Sequence, residues 1–108
     1  MASRPEDEMV RHQISLEQAR ELVHNHQRTA PPGAERCGYF PRTAFDAILV
    51  QPGCAGIRFY HARDTHGRAT LVFVGVTVEK VDMLDGTIIE NHQPCPPQCD
   101  GTQLGLSG

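Results

Sequence analysis

The sequence predicts an α+β domain in which an N-terminal amphipathic helix and a short second helix pack on a small antiparallel sheet built around one β-hairpin. Residues 56–63 and 69–78 are rich in β-branched and aromatic types, and the turn sequence Asp64-Thr65-His66-Gly67 separates them. Apolar residues recur at helical spacing between residues 16 and 26. A length of 108 residues favours one domain, and the sequence contains no internal repeat.

The first helix is expected to begin near Ser15, after a polar arm at residues 1–13 that we expect to be disordered. Ser15 and Gln18 fit the capping-box pattern. The residues of the stripe expected to face the sheet are Leu16, Ala19, Leu22, Val23 and His26. The helix should end near Arg28, because Pro31-Pro32-Gly33 cannot continue it.

A second, shorter helix is expected over residues 44–50, with Thr43 as its N-cap and Pro52-Gly53 as its stop. After the hairpin, residues 81–85 read as a loop, and residues 87–91 could add a short third strand. We expect the single domain to span residues 14–92, followed by a tail at 93–108 that is rich in proline, glycine and cysteine.

The hairpin loop decides which side chains share a face of the sheet. It could be Thr65 to Gly67 with a bulge, four residues, or His66-Gly67 alone. Both even-length loops give the same faces, since side chains alternate with period two. The face expected to be the core then carries Ile57, Phe59, His61, Thr70, Val72, Val74, Val76 and Val78. The second face carries Arg58, Tyr60, Ala62, Leu71, Phe73, Gly75 and Thr77.

Tyr60, Leu71 and Phe73 on that second face predict an interface. Left in water they would form an apolar patch, and an isolated two-stranded hairpin is marginally stable. The face therefore needs a helix, another strand or another subunit over it. We expect a homo-oligomer that associates through these three residues, with coverage by the chain's own helix as the alternative.

Charge and hydropathy exclude several classes of partner. A net charge of −3 does not favour binding to phosphate backbones. The longest apolar run, residues 71–76, is too short to cross a bilayer, and the acidic N-terminus is not a secretory signal. We therefore expect no nucleic-acid or membrane partner and a cytoplasmic location, where cysteines are usually reduced.

The cysteines in the tail suggest a possible zinc site. Cys95 and Cys99 are separated by three residues, a spacing that lets two thiolates reach one tetrahedral zinc ion. His92 could be a third ligand, and Cys54, Cys37 or a histidine such as His61 a fourth.

Three other readings of the cysteines stay open. They could be small buried hydrophobic residues, Cys95 and Cys99 could form a local disulfide or pair with Cys54, or they could act as a thiol-redox pair. Cys54 at the start of the first strand reads as a buried structural cysteine rather than a nucleophile. The sequence has no phosphate-binding glycine loop, His-Glu-x-x-His pair or Gly-x-Ser-x-Gly elbow, so we assign no catalytic residue.

Three segments of the chain resemble segments of a group of short, uncharacterised bacterial proteins. These segments are Gln51-Pro52-Gly53-Cys54-x-Gly56-Ile57-Arg58-x-Tyr60, Leu71-Val72-x-Val74-Gly75-Val76 and Cys95-Pro96-Pro97-x-Cys99. The resemblance covers about residues 45–99 and implies no activity or cofactor. It does imply that Cys54 and the Cys-Pro-Pro-x-Cys end belong to the design of the domain, which would favour a meeting of their sulfurs.

Two functions follow as expectations. The first is a non-enzymatic assembly or binding module that self-associates through a sheet face. The alternative is a zinc-binding or thiol-redox protein that uses Cys95, Cys99, Cys54 and His92.

Overall fold

A computed structural model of the chain describes residues 11–90 and 92–95. They belong to two compact units, of which one contains residues up to Arg36 together with Cys95, and the other runs from Cys37 to Pro94. The elements, in order, are α1 (Leu16–Thr29), β1 (Cys37–Tyr39), α2 (Arg42–Leu49), β2 (Gly56–Arg63), β3 (Ala69–Val76), β4 (Ile88–Ile89) and β5 (Gln93–Cys95). The α+β class is confirmed. The polar arm lies mainly, and the tail beyond Cys95 wholly, outside the described residues.

Helix α1 begins and ends where its capping residues predict. The Ser15 side chain accepts from the backbone of Gln18, and the Gln18 side chain accepts from the backbone of Ser15, so the capping box is complete. The helix ends at Thr29, before the proline pair. None of its side chains is buried, and Leu16 and Leu22 are exposed. The expectation that this stripe faces the sheet stays a prediction.

Helix α2 packs on strands β2 and β3. It begins after Pro41, which has no side-chain hydrogen bond to the helix, so the predicted N-cap Thr43 is wrong. Pro41 supplies the extended residue that precedes the first turn, and Thr43 is already inside the helix. The helix buries Ile48 completely against the sheet.

Gln51 ties the end of α2 to the start of β4. Its Nε2 donates to the carbonyl of Ile48 at 2.8 Å, and its Oε1 accepts from the backbone N–H of Thr87 at 2.7 Å. A single half-buried amide thus satisfies two backbone groups that belong to different elements.

The main sheet is antiparallel, with strand order β2-β3-β4. The predicted hairpin is confirmed, and its loop is the three-residue version, Thr65 to Gly67. The backbone N–H of Asp64 donates to Arg68 at 2.9 Å, and Gly67 takes a φ of 81°. A three-residue loop with glycine in this left-handed position is a common hairpin connection. The Asp64 carboxylate accepts from the backbone N–H groups of His66 and Arg68, which closes the loop.

The odd-length loop shifts the register by one residue from the even-length versions, so the predicted face assignment is wrong. Phe59 lies opposite Phe73, and Tyr60 lies opposite Val72. One face therefore carries the odd-numbered residues of both strands, and the other carries the even-numbered ones. Leu71 and Phe73 share the odd face, whereas Tyr60 lies on the even face.

A second, two-stranded sheet pairs β1 with β5. Neither strand was expected, because three residues that include Gly38 or Pro94 show no alternation of apolar and polar types. Across residues 11–90 and 92–95, no helix is both long and apolar enough to span a membrane.

Candidate functional site

The odd face of the sheet is partly covered by the chain itself. The ring of Phe73 lies 5.3 Å from that of Phe40 and 5.4 Å from that of Phe45, which projects from α2. Phe40 and Phe45 also contact each other, with centroids 5.5 Å apart. Phe73 is therefore half-buried beneath two rings. Helix α2 of the same chain therefore covers the part of the odd face around Phe73, through Phe45.

Phe59 lies at the margin of this aromatic cluster and is 54% exposed. Its ring is 6.1 Å from Phe73 on one side and 5.7 Å from His61 on the other. Since His61 is exposed as well, the cluster ends in a strip of ring surface that opens to solvent along β2. Sequence reasoning placed Phe59 in the core and did not single it out as a surface residue.

The even face contains a polar network on Asp82. The carboxylate accepts hydrogen bonds from the guanidinium of Arg58 and from the hydroxyl of Tyr60. Arg58 also donates to the carbonyl of Lys80 at 3.1 Å. The Tyr60 hydroxyl, followed by the negative charge of Asp82, raises the pKa of the Arg58 guanidinium above its ordinary value. The loop that holds Asp82 is thereby fixed to β2.

Tyr60 remains 46% exposed although its hydroxyl is bonded, so the face of its ring is available for contact. Phe59 and Tyr60 are neighbours in the chain and project to opposite faces. Strand β2 consequently presents an aromatic surface on both sides of its middle.

Strand β2 is also an edge strand of the three-stranded sheet. Because Asp64 and Arg68 form a hydrogen-bonded pair, and such pairs alternate with non-bonded ones along an antiparallel ladder, the even-numbered residues of β2 bond to β3. The N–H and C=O groups that point away from β3 belong to Ile57, Phe59, His61 and Arg63. We refer to these groups as the β2 edge. Among the strands that the structure describes, none pairs with this edge.

The β2 edge has few of the usual features that prevent edge pairing. Protected edge strands are short, or carry charged side chains, proline or a bulge. Strand β2 has eight residues, none of them lysine or proline, and pairs with β3 without a bulge. Its two charged side chains bond within the chain, Arg58 to Asp82 and Arg63 to the carbonyl of Gly67. The opposite edge of the sheet is strand β4, which has only two residues.

A second group of exposed apolar side chains lies in the connection from β3 to β4 and on β4 itself. Its members are Val78, Val81, Leu84 and Ile88. Val78 is 76% exposed, more than either aromatic residue of β2. Three of these residues lie outside the strands, and Ile88 lies on the two-residue strand β4, so the group does not line a long run of backbone groups with which a strand could pair.

The predicted metal ligands are found in different surroundings. The Cys54 thiol is free and half-buried, and its sulfur donates to the carbonyl of Gly56 at 3.3 Å. The ring of His92 packs on Phe40, with centroids 5.9 Å apart. Cys95 is buried and disulfide-bonded, and Cys99 lies outside the described residues.

The expectation of reduced cysteines is therefore wrong for Cys95. That expectation came from the cell compartment, which sets redox conditions and does not decide which sulfurs the fold brings together. A disulfide sulfur carries no thiolate charge, so it is a poor ligand for zinc. Within residues 11–90 and 92–95, no three His, Cys, Asp or Glu side chains form a group that could hold a metal ion.

A cavity of about 320 Å³ lies at the end of α1. Its lining residues are Gln27, Ala30, Pro31, Pro32, Gly33, Ala34 and Arg36. Among the described residues that line the cavity, Arg36 is the one ionisable group, and these residues therefore provide no acid–base pair.

No family model, no curated protein and no solved structure matches this chain.

Sequence reasoning missed two components of the site. The first is Asp82, which the sequence placed in a plain loop. The second is the position of Phe59 beside an open edge. A signal for the latter was present in the Asp64-x-x-Gly67 spacing, which suits a three-residue loop and hence the observed register.

Proposed function

We propose that this protein is a small, non-enzymatic assembly module that self-associates through its three-stranded sheet. The observation that carries the proposal is the exposure of Phe59 and Tyr60, consecutive aromatic residues on opposite faces of the same end strand. Aromatic side chains contribute strongly to protein interfaces because they bury a large area with few rotatable bonds.

The proposed interface differs from the one first expected from the sequence in the residues at its centre. Of Tyr60, Leu71 and Phe73, only Tyr60 is exposed, while Leu71 and Phe73 are half-buried on the other face. Phe59 lies opposite Phe73 and carries the exposed part of its aromatic cluster. We therefore place the centre of the interface at Phe59 and Tyr60, with Leu71 and Phe73 behind them.

Sedimentation velocity across a concentration series tests the proposal. We expect the wild-type chain to shift from monomer to dimer between about 10 µM and about 1 mM, the range of a weak to moderate association. Phe59→Lys should raise the dissociation constant by roughly tenfold or more, because it puts a charge at the centre of the interface.

Val78→Lys provides the matched control, since it also replaces an exposed apolar side chain by lysine but lies off β2. It should leave the dissociation constant unchanged. A wild-type chain that is monomeric throughout contradicts self-association. If Val78→Lys dissociates the dimer and Phe59→Lys does not, the interface lies between β3 and β4 instead.

The disulfide of Cys95 favours a second candidate, a thiol-redox protein that could bind zinc when reduced. Reduction by a dithiol would transfer two electrons and two protons to the disulfide, oxidise the dithiol and release the Cys95 thiol. A cytoplasmic location would favour this reduced form.

Thiol counting and elemental analysis test this candidate. Without reductant we expect two titrating thiols per chain, those of Cys37 and Cys54, and no zinc. After reduction, about one zinc per chain with protected thiols would support a metal site built on Cys95, Cys99, Cys54 and His92. Four freely titrating thiols and no metal in the reduced protein would contradict this metal site.

A further inference from the structure

We infer that the partner strand at the β2 edge is the β2 strand of a second copy of this chain, paired antiparallel about a two-fold axis at Tyr60. This inference rests on the proposed self-association and specifies its geometry. The two three-stranded sheets would then join into one continuous sheet of six strands.

The first argument is that this register pairs every open backbone group of the strand. With the axis at Tyr60, Ile57 lies opposite Arg63 of the second copy, and Phe59 lies opposite its His61. Each of these four residues has its N–H and C=O on the β2 edge, so each pair makes two hydrogen bonds. An axis at Phe59 would instead leave Arg63 without a partner inside the strand.

The second argument comes from charge. In the antiparallel register, Arg58 faces Ala62 of the second copy, and Arg63 faces its Ile57. Like charges directly opposite each other would destabilise the pairing, and this register contains none. A parallel, in-register pairing would place each of these arginines beside its own counterpart. The antiparallel arrangement is therefore the self-complementary one.

The third argument comes from the side chains on the two faces. On the odd face, Phe59 and His61 of one copy would lie beside His61 and Phe59 of the other, which extends the aromatic cluster across the junction. On the even face, the two Tyr60 rings would meet at the axis. The exposed strip of β2 is covered on both sides by the same contact.

Residue-specific amide exchange is the first test. At a concentration where sedimentation shows a dimer, the amides of Ile57, Phe59 and His61 should exchange more slowly than in the monomer by roughly tenfold or more. A dimer whose edge amides stay unprotected overturns the β2 pairing and leaves self-association in place. A chain that is monomeric at all concentrations overturns both the β2 pairing and self-association. The partner of the β2 edge would then be a strand of a different protein.

The register has its own test. In a sample that mixes isotope-labelled and unlabelled chains, the Hα of Arg58 should show an intermolecular contact with the Hα of Ala62, because non-bonded antiparallel pairs bring these atoms closest. A contact between Arg58 and Tyr60 in its place would put the axis at Phe59 and overturn the stated register.

His61→Pro tests the role of the backbone without touching the ladder to β3. The His61 N–H points away from β3, so proline removes only an edge donor, and by symmetry the dimer loses two hydrogen bonds. The dissociation constant should rise by roughly tenfold or more. His61→Thr keeps the N–H and removes only the ring contact with Phe59, so it should raise the dissociation constant less than His61→Pro does. Equal effects of the two variants would show that the side chain, not the backbone pairing, matters.

Discussion

Gly75 is a position in the three-stranded sheet where one added methyl group should be damaging. It lies on β3 beneath the end of α2, and a Cβ there would be 3.0 Å from Gln51 Nε2, 3.1 Å from Cys54 Sγ and 3.2 Å from Ile48 Cγ2. These neighbours cannot easily move away. Gln51 is held by hydrogen bonds at both ends of its amide, and Ile48 is fully buried.

The magnitude follows from two opposing effects in Gly75→Ala. Overpacking a well-filled site costs roughly 1–3 kcal/mol. The alanine also lowers the entropy of the unfolded chain, which stabilises the fold by about 0.4–1 kcal/mol. We therefore expect the free energy of unfolding to fall by about 1.3 kcal/mol, the difference between the midpoints of the two ranges.

Gly56→Ala is the matched control within the same sheet. Its Cβ would meet only Val76 Cγ2, at an ordinary contact distance of 3.6 Å. Gly56→Ala should therefore be neutral or stabilising by up to about 1 kcal/mol. Urea unfolding followed by circular dichroism measures both variants, with unchanged m values as the check on two-state behaviour.

Cys54→Ala sharpens this prediction because it removes one of the three close atoms. In a double-mutant cycle, Gly75→Ala should cost less in the Cys54→Ala background than in the wild type. If Gly75→Ala is as stable as Gly56→Ala, then α2 is not packed on β3 as closely as the structure has it, and the reasoning is wrong.

Three further predictions concern single positions. Ile48→Ala should lower the free energy of unfolding by about 2–5 kcal/mol, and the exposed Leu49→Ala by about 0.5 kcal/mol or less, in the same urea assay. Lys80 has a φ of 65°, so Lys80→Gly should stabilise the chain by roughly 0.5–1 kcal/mol, and a decrease would contradict strain in this turn. The backbone N–H groups of Arg68 and His66 lower the pKa of Asp64 below 3.8. Its contribution to stability is thus present above that value and is lost as the pH falls through the folded pKa. Asp64→Asn should therefore show a smaller fall in melting temperature from pH 5 to acidic pH than the wild type does, and identical falls would contradict the prediction.

Elements that depend on local sequence could be predicted, as α1 and the hairpin show. The Ser15–Gln18 capping box and the proline pair define the ends of α1 through backbone groups only a few residues away. The alternation of β-branched and aromatic residues likewise predicts β2 and β3 within two residues of their observed ends. Strands β1 and β5 were missed because three residues carry too little pattern to identify a strand.

What the sequence determined by itself is the kind of elements and the places where most of them begin and end, since these depend on hydrogen bonds and periodicities within a few residues. Only the tertiary structure decided which surface is open. One residue more or less in the loop before Arg68 moves every side chain of β3 to the opposite face relative to the side chains of β2, and this places Tyr60 and Phe73 on different faces. Whether Phe59 is covered then depends on where Phe40 and Phe45 pack, and contacts between distant segments leave no periodic trace in the chain.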